Sequence, residues 1–305
     1  MRILILGGTR FLGRRVSASL VMAGHDLIVL SRRPGGAPAG VEQICAEREV
    51  GLAMLKGCSF DLVMDFICFD NQGLEQLVAN ILTEQYVLIS TTWLPRLWSG
   101  SRADELPGSL TTASSHLPNI THNYLNGKLC AERGLATLRQ TGCKAVSLRL
   151  PIMLSDDDHT GRLNFYRCRL TDGGPLIAVD GGQNLAQIGV MEDLAQAIFR
   201  WVTEANIVQF PIWEALPGNG RSVRSIIETM ANALGVRAKL FDVPATVLAR
   251  DLPFYLEKEP FWRESAMTVT SANIYATLGM MPAVFGQFLS RPLSVDNSLA
   301  SLRSE

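Results

Sequence analysis

A run of branched apolar residues, Arg2-Ile3-Leu4-Ile5-Leu6, breaks at the pair Gly7-Gly8 and gives way to a helical pattern from Phe11, with Gly13 six residues after Gly7. That is strand, tight turn and helix in immediate succession. A turn of this kind aims backbone N–H groups at whatever lies beyond the helix N-terminus, and its missing side chains let a pyrophosphate approach closely. The residues that would form the cradle are Gly7, Gly8, Thr9, Arg10, Phe11, Leu12 and Gly13. A second apolar run, Asp26-Leu27-Ile28-Val29-Leu30, follows at the interval of a βα unit. The expectation is a dinucleotide lying in the crevice above the turn.

With 305 residues, of which 47% are hydrophobic, the chain can bury one large core or two closely joined ones. A net charge of −1 and a pI near 6.4 give no electrostatic reason to expect nucleic acid or an anionic membrane as partner. Met1 runs straight into a strand without a basic and apolar leader, and no apolar stretch approaches the ~20 residues of a membrane span. A cytoplasmic protein is expected. Cysteines 45, 58, 68, 130, 143 and 168 are scattered without a Cys-x-x-Cys pair, so reduced thiols are expected and no metal site.

Apolar strand-like runs near 2–6, 26–30, 41–45, 61–67, 86–90 and 144–150 alternate with helical patterns near 11–23, 72–83 and 124–140. The strands are almost continuously apolar, as a parallel sheet covered on both faces requires. The fold class predicted is α/β, a doubly wound parallel sheet, with a dinucleotide-binding domain over 1–150. Residues 151–305 read as a smaller substrate-binding region interleaved with it, carrying helices near 191–204 and 222–234.

After the second strand stands Ser31-Arg32-Arg33. In nicotinamide-binding folds an acid here meets the ribose 2′-hydroxyl, whereas arginines accommodate a 2′-phosphate. Guanidinium groups offer bidentate donors to phosphate, so NADP(H) is expected in preference to NAD(H). Glu47, just past the third strand, is a candidate for the adenine edge or an exposed loop acid.

Tyr124-Leu125-Asn126-Gly127-Lys128 places a phenol and an ammonium at i and i+4 of one helix. A neighbouring ammonium favours the phenolate and draws the tyrosine towards working pH. Upstream, Ile89-Ser90-Thr91-Thr92 closes a strand at the end where open parallel sheets bind ligands.

Together with Arg149-Leu150-Pro151, Val190-Met191-Glu192-Asp193-Leu194-Ala195 and the tail Leu278-Gly279-Met280-Met281-Pro282, these motifs resemble the short-chain dehydrogenase/reductases. Within them the likeness is to the extended, atypical branch that holds epimerases, dehydratases and ketoreductases. The resemblance implies Tyr124 as catalytic acid/base, Lys128 as its pKa-lowering and ribose-holding partner, and Thr91 as the hydroxyl that positions the reacting carbonyl, with Thr92 the alternative. It implies hydride transfer at a carbinol or ketone carbon of a sugar or sugar-nucleotide-like metabolite. It also implies a homodimer paired through helices flanking the sheet.

Three stretches depart from that pattern. Arg10 replaces the middle glycine of the turn. Ala186 and Gln187 stand where an arginine usually meets a sugar nucleotide's pyrophosphate. Asp65-Phe66-Ile67-Cys68 is bulkier than the small residues that usually line the cofactor.

The rival reading is a non-catalytic member that binds dinucleotide or RNA; the retained Tyr124, Lys128 and Thr91 and the lack of net positive charge oppose it. His116, His122, Arg162, Arg167 and Arg169 are substrate-cleft candidates, each equally readable as solvated. Phe254, Tyr255, Phe261, Trp262, Trp93 and Trp98 are candidates for an apolar wall, and Asp156 to His159 read as an acidic turn.

Overall fold

The structure, a computed structural model, describes residues 1–94, 119–156, 160–218, 220–261, 272–282 and 285–289. In chain order the elements begin β1 (Arg2–Leu6), α1 (Phe11–Met22), β2 (Asp26–Ser31), β3 (Glu42–Cys45), α2 (Arg48–Met54) and β4 (Ser59–Asp65). Next come α3 (Asn71–Asn80), β5 (Leu82–Thr91), α4 (Asn119–Gln140), β6 (Lys144–Leu150), β7 (Ile152–Leu154), α5 (Arg162–Thr171) and β8 (Pro175–Val179). Then follow β9 (Leu185–Ala186), β10 (Ile188–Val190), α6 (Met191–Glu204), β11 (Ile212–Glu214), β12 (Arg221–Ser222) and α7 (Val223–Ala233). The last are β13 (Lys239–Val243), α8 (Ala245–Asp251), α9 (Pro253–Lys258), α10 (Ile274–Thr277) and α11 (Phe285–Leu289).

The chain divides into two compact units. The first comprises Met1–Pro151, Met191–Gly218 and Met267–Pro282. Its seven strands lie in the order β11-β6-β5-β4-β1-β2-β3, and every neighbouring pair is parallel. This is the expected doubly wound Rossmann sheet. The order reverses where β1 meets β4, and ligands of such sheets bind outside the strands' carboxyl ends at that point. Ile3, Leu4, Ile5 and Leu6 are wholly buried. On one face Leu4, Leu6, Ile28, Leu30, Val63 and Leu88 pack with Leu52, Leu74, Leu77 and Leu135 of the covering helices. Each such side chain contributes about 1.5–3 kcal/mol by leaving water. Elsewhere in the unit α1 packs beside α6, where Arg15 meets Glu192 at 3.0 Å.

In the first unit the structure departs from the sequence reading at α2, β5 and β11. Helix α2 was not expected, because Gly51 interrupts its apolar pattern; a Cβ there would lie 2.1 Å from Leu30 Cδ1, so glycine lets the helix rest directly on β2. Strand β5 begins at Leu82 rather than near 86, since the polar stretch Leu82 to Gln85 still pairs with β4, Ser59 opposite Leu82. Edge strand β11 was missed, being three residues long.

The second unit comprises Ile152–Val190, Asn219–Ala266 and Ala283–Glu305. Its strands pair in twos: β7 with β10 and β8 with β13 in parallel, β9 with β12 antiparallel. The buried Tyr166 hydroxyl donates to Glu259, whose other oxygen accepts from Phe261 N at 3.0 Å. Among the described residues no helix is long and apolar enough to cross a membrane.

Candidate active site

At Gly7 the backbone turns with φ +90°, and a Cβ would stand 2.7 Å from Ile67 Cγ2, so only glycine serves. At Gly13 a Cβ would stand 2.7 Å from the Gly7 carbonyl oxygen; the first turn of α1 therefore rests on the glycine turn itself. Ser17 Oγ donates to the Gly13 carbonyl at 2.7 Å and fixes that contact from below. Phe11 opens α1 at φ +46°, a region a bulky residue seldom enters, and such strain gathers at ligand sites. Arg10, the N-cap, is extended and exposed and makes no side-chain capping bond, and the first turn holds no acid. No capping side chain of Arg10 therefore takes the first N–H groups of α1, which suits a bound pyrophosphate. The β2–β3 loop comes down on the turn at Gly36, where a Cβ would lie 2.7 Å from the Thr9 carbonyl oxygen.

At the end of β2, Ser31 is buried; its hydroxyl donates to the Arg33 carbonyl at 3.2 Å and accepts from Gln43 Nε2 at 2.8 Å. Arg32 and Arg33 are exposed. The Arg32 Nε lies 4.0 Å from the Glu47 carboxylate, with the two side chains 71% and 70% exposed. An acid thus stands beside the expected phosphate-binding arginine.

The second group of residues gathers at the carboxyl ends of β4 and β5. Lys128 is 2% exposed and donates to the Cys68 carbonyl at 3.0 Å and to the Ile89 carbonyl at 2.8 Å, tying the ends of the two strands together. The Phe69 ring covers its ammonium with the centroid 4.1 Å away, and lies 5.8 Å from the ring of Tyr124. Gly127 makes this possible: a Cβ there would meet the Phe69 carbonyl oxygen at 2.6 Å. Tyr124, one turn before Lys128, is 38% exposed. Burial draws the Lys128 ammonium down to about 8, against the pull of Asp65, Cys68 and Glu132, which favour its charge.

Leu94, with Trp93 beside it, packs on Leu125 and Leu129, bringing the end of β5 to the same helix. The Thr91 hydroxyl accepts from Trp93 N at 3.2 Å and has no acceptor for its own hydrogen among the described residues. The Thr92 hydroxyl is 1% exposed and donates to the Leu150 carbonyl at 3.2 Å. Thr91 is therefore the better placed of the two to meet a ligand.

Beneath this group lie charges to which the sequence reading gave no role. Asp65, wholly buried, accepts from Arg48 Nη2 at 2.6 Å, from the Tyr86 hydroxyl at 2.8 Å and from Ile67 N at 3.0 Å. Burial works against the Arg48 charge, but Asp65 overrides it and raises the guanidinium above its ordinary value; burial and the same carboxylate push the Tyr86 phenol well up. Glu132 takes two bonds from Arg149, at 3.0 and 2.8 Å, and one from Ser147 at 2.7 Å. Glu132 was legible as the third member of an i, i+4, i+8 stripe with Tyr124 and Lys128. Arg48 and Phe69 carried no such signal.

The remaining candidates fall elsewhere. Arg162, Arg167 and Arg169 lie on α5 of the second unit, Arg162 donating to Thr160 at 2.9 Å and Arg169 facing Asp172 at 3.4 Å. Ala186 and Gln187 of the same unit are both buried. His122 falls on α4. His116, Trp98, Trp262 and Asp157 to His159 lie outside the described residues.

No family profile and no curated protein matches the chain. Among solved structures it is similar to the dTDP-glucose 4,6-dehydratase DesIV of Streptomyces venezuelae, with NAD and TYD bound: TM-score 0.68, 17% identity, covering 99% of this chain and 98% of that one. The Thermus thermophilus UDP-glucose 4-epimerase in complex with NAD gives 0.64 and 18%, covering 97% and 98%. The Bacillus cereus UDP-glucuronic acid 4-epimerase, with UDP-glucuronic acid and NAD, gives 0.65 and 15%, covering 95% and 96%. The chain has their fold. It is the fold that the resemblance to extended short-chain dehydrogenase/reductases implied.

One expectation is corrected. The preference for NADP(H) over NAD(H), drawn from Arg32 and Arg33, does not hold: each of these three structures carries NAD. The physical reason lies in the Arg32–Glu47 pair. A carboxylate beside the guanidinium offsets the charge a 2′-phosphate would seek, and both arginines are exposed.

Proposed function

We propose that this protein is an NAD(H)-dependent oxidoreductase of the epimerase and dehydratase type, acting on a hydroxyl-bearing or keto carbon of a sugar or sugar-nucleotide-like metabolite. The observation that carries the reading is the juxtaposition at the carboxyl ends of β4 and β5: a part-exposed phenol, Tyr124, one helical turn from a buried ammonium, Lys128, with the Thr91 hydroxyl at the end of the adjoining strand. Gly7, Gly8, Thr9, Arg10, Phe11, Leu12 and Gly13 would hold the dinucleotide's pyrophosphate, and Ser31, Arg32, Arg33 and Glu47 would border its adenosine. When bound, the nicotinamide gives or takes the hydride.

The chain's own residues do the rest. The Tyr124 phenolate takes the proton from the substrate hydroxyl as the carbinol is oxidised, and the phenol returns it on reduction. Lys128, held at two backbone carbonyls, presents a fixed positive charge that favours the phenolate. Thr91 donates to the reacting oxygen and orients it. Epimerisation and reduction use the same groups and differ only in whether the ketone leaves before hydride returns.

The direct test incubates the protein with NAD and a panel of UDP- and dTDP-hexoses, following nicotinamide absorbance at 340 nm and the sugar products by proton NMR. Epimer or keto-sugar formation that disappears in Tyr124→Phe supports the reading. Turnover undiminished in that variant overturns the assignment of Tyr124. Complete inertness with every sugar nucleotide, despite tight NAD binding, overturns the substrate class.

A homodimer fits the same reading. Between α3 and α4 the surface carries an apolar groove lined by Leu74, Val78, Ala79 and Leu138, with Asn71 and Glu75 at its edge, where a second copy of the helix pair would pack. Sedimentation equilibrium decides it: a mass of one chain at micromolar concentration removes the proposal.

A further inference from the structure

The proposed mechanism leaves one group of buried charges without a role. Asp65 closes β4, wholly buried, and Arg48 opens α2 beneath it. Their contact is single, through Nη2 at 2.6 Å; that same nitrogen also donates to the Gly73 carbonyl at 2.9 Å. Arg48 Nε and Nη1 are buried and have no acceptor among the described residues. Gly73 leaves room for this arrangement, since a Cβ there would stand 3.2 Å from both Arg48 Nε and Cys68 Sγ.

A buried pair so incompletely bonded is poor as a stabilising device, because desolvation offsets much of the attraction. Its neighbours point to a different use. The Asp65 Oδ1 accepts from Ile67 N and so sets the turn of the chain that leaves β4. The next two residues of that turn are Cys68, whose carbonyl holds Lys128, and Phe69, whose ring covers Lys128 and adjoins Tyr124.

We propose that Asp65 and Arg48 are positioning residues for Lys128: Asp65 fixes the turn that holds the ammonium, and its negative charge, only partly offset by Arg48, keeps that ammonium protonated in a site nearly closed to water. The proposal rests on the reading that Tyr124 and Lys128 form the proton-transfer pair. The charged and titratable groups around Lys128 are Asp65 of β4, Cys68 and its turn, Arg48 of α2, Tyr86 of β5, and Tyr124 and Glu132 of its own helix, Glu132 being tied to Arg149 of β6. Burial pushes the Cys68 thiol up to about 11, so it is neutral at working pH, and burial and Asp65 push the Tyr86 phenol well above its ordinary value. Asp65, Arg48 and Glu132 therefore carry the charges that act on Lys128 below that range.

The chain has only five lysines, 56, 128, 144, 239 and 258, which makes their direct titration practical. The experiment follows the 13Cε resonances of lysine-labelled protein against pH, without cofactor or substrate, in the wild type, Asp65→Asn and Arg48→Met/Asp65→Asn. Lys128 is expected to titrate well below the other lysines. Asp65→Asn is expected to lower its midpoint by at least about half a unit, roughly a threefold loss of proton affinity. The double variant, which does not strand the Arg48 charge, is expected to fold even where the single one does not. Its midpoint is expected between those of Asp65→Asn and the wild type, because the repulsive Arg48 charge goes with the attractive one.

An unchanged Lys128 midpoint in either folded variant overturns the proposal. So does a double variant shifted further down than Asp65→Asn, which is the order that general loosening would produce. Because no turnover is measured, these outcomes stand whether or not the sugar-nucleotide reading survives. With an active enzyme, the alkaline limb of its rate profile is expected to move in the same order.

Discussion

The Lys128 ammonium donates 3.0 Å to the Cys68 carbonyl and sits 4.1 Å beneath the ring of Phe69, the very next residue. One dipeptide thus both anchors the cation and closes it from water. Removing the ring separates the two effects. In Phe69→Ala, water regains the ammonium and its proton affinity rises from about 8 towards the ordinary lysine value of about 10.5. Lys128 then keeps its charge at higher pH, and the alkaline fall in turnover should move up by about a unit. Rate profiles between pH 6 and 10 check this, and a limb that stays in place would show that Phe69 does not control access.

The same value of about 8 sets the pH dependence expected of the wild type under the proposed mechanism. In the proposed mechanism Lys128, charged below that value, supports the Tyr124 phenolate, and above it the support is lost. Turnover should therefore fall as pH rises through about 8. The stability dependence runs the opposite way. Because the folded proton affinity is depressed, the unfolded chain binds the extra proton between about 8 and 10.5, so the Lys128 contribution to stability rises with pH across that window and is lost on descending through it. Urea midpoints at pH 8 and pH 10 test the sign for this residue when compared with Lys128→Met, which should lack the rise.

Tyr124→Phe removes one hydroxyl from a side chain that is 38% exposed and leaves the Phe69 contact in place. Turnover should fall by about 100-fold or more with NAD affinity nearly unchanged. Stopped-flow single turnovers and nicotinamide fluorescence titrations read the two quantities separately.

Much of the fold could be read from the chain because a parallel sheet covered on both faces demands continuous apolar strands, and β1 and β2 supply them. Helix α2 was hidden by Gly51, whose place is set by contact with Leu30 rather than by helix propensity. Lys128 and Tyr124 were visible through local spacing on one helix. Asp65 and Arg48 were not, since they stand 17 positions apart on different elements and only the placement of α2 beside β4 brings them together. The cofactor error has the same origin. Arg32 and Arg33 look like a phosphate site in the sequence, but parallel pairing sets Ser31 opposite Cys45 and so carries Glu47 to Arg32.

That pairing yields a cofactor prediction. With Glu47 beside Arg32, a ribose 2′-hydroxyl finds an acceptor and a 2′-phosphate meets a carboxylate. NADH should bind at least about tenfold tighter than NADPH, a difference of about 1.4 kcal/mol. Parallel fluorescence titrations decide it, and Glu47→Gln should narrow the gap by relieving the repulsion. Equal affinities in the wild type would place Glu47 away from the ribose.

Glu132 and Arg149 test whether a wholly buried ion pair holds α4 to the sheet. Their side chains are 1% and 0% exposed and meet through two bonds, with Ser147 completing the carboxylate. Removing one charge strands the other in the core, so Glu132→Gln should cost about 3–5 kcal/mol. Arg149→Met made together with Glu132→Leu strands neither, and should cost far less than the sum of the two single changes. Glu132 also lies one turn beyond Lys128 and favours its charge, so the double variant should lower the pH at which turnover declines even where stability recovers. Urea denaturation and the alkaline limb of the rate profile are thus expected to part company in this variant. If both return to wild type together, Glu132 is a strut alone and has no electrostatic hold on the proton-transfer pair.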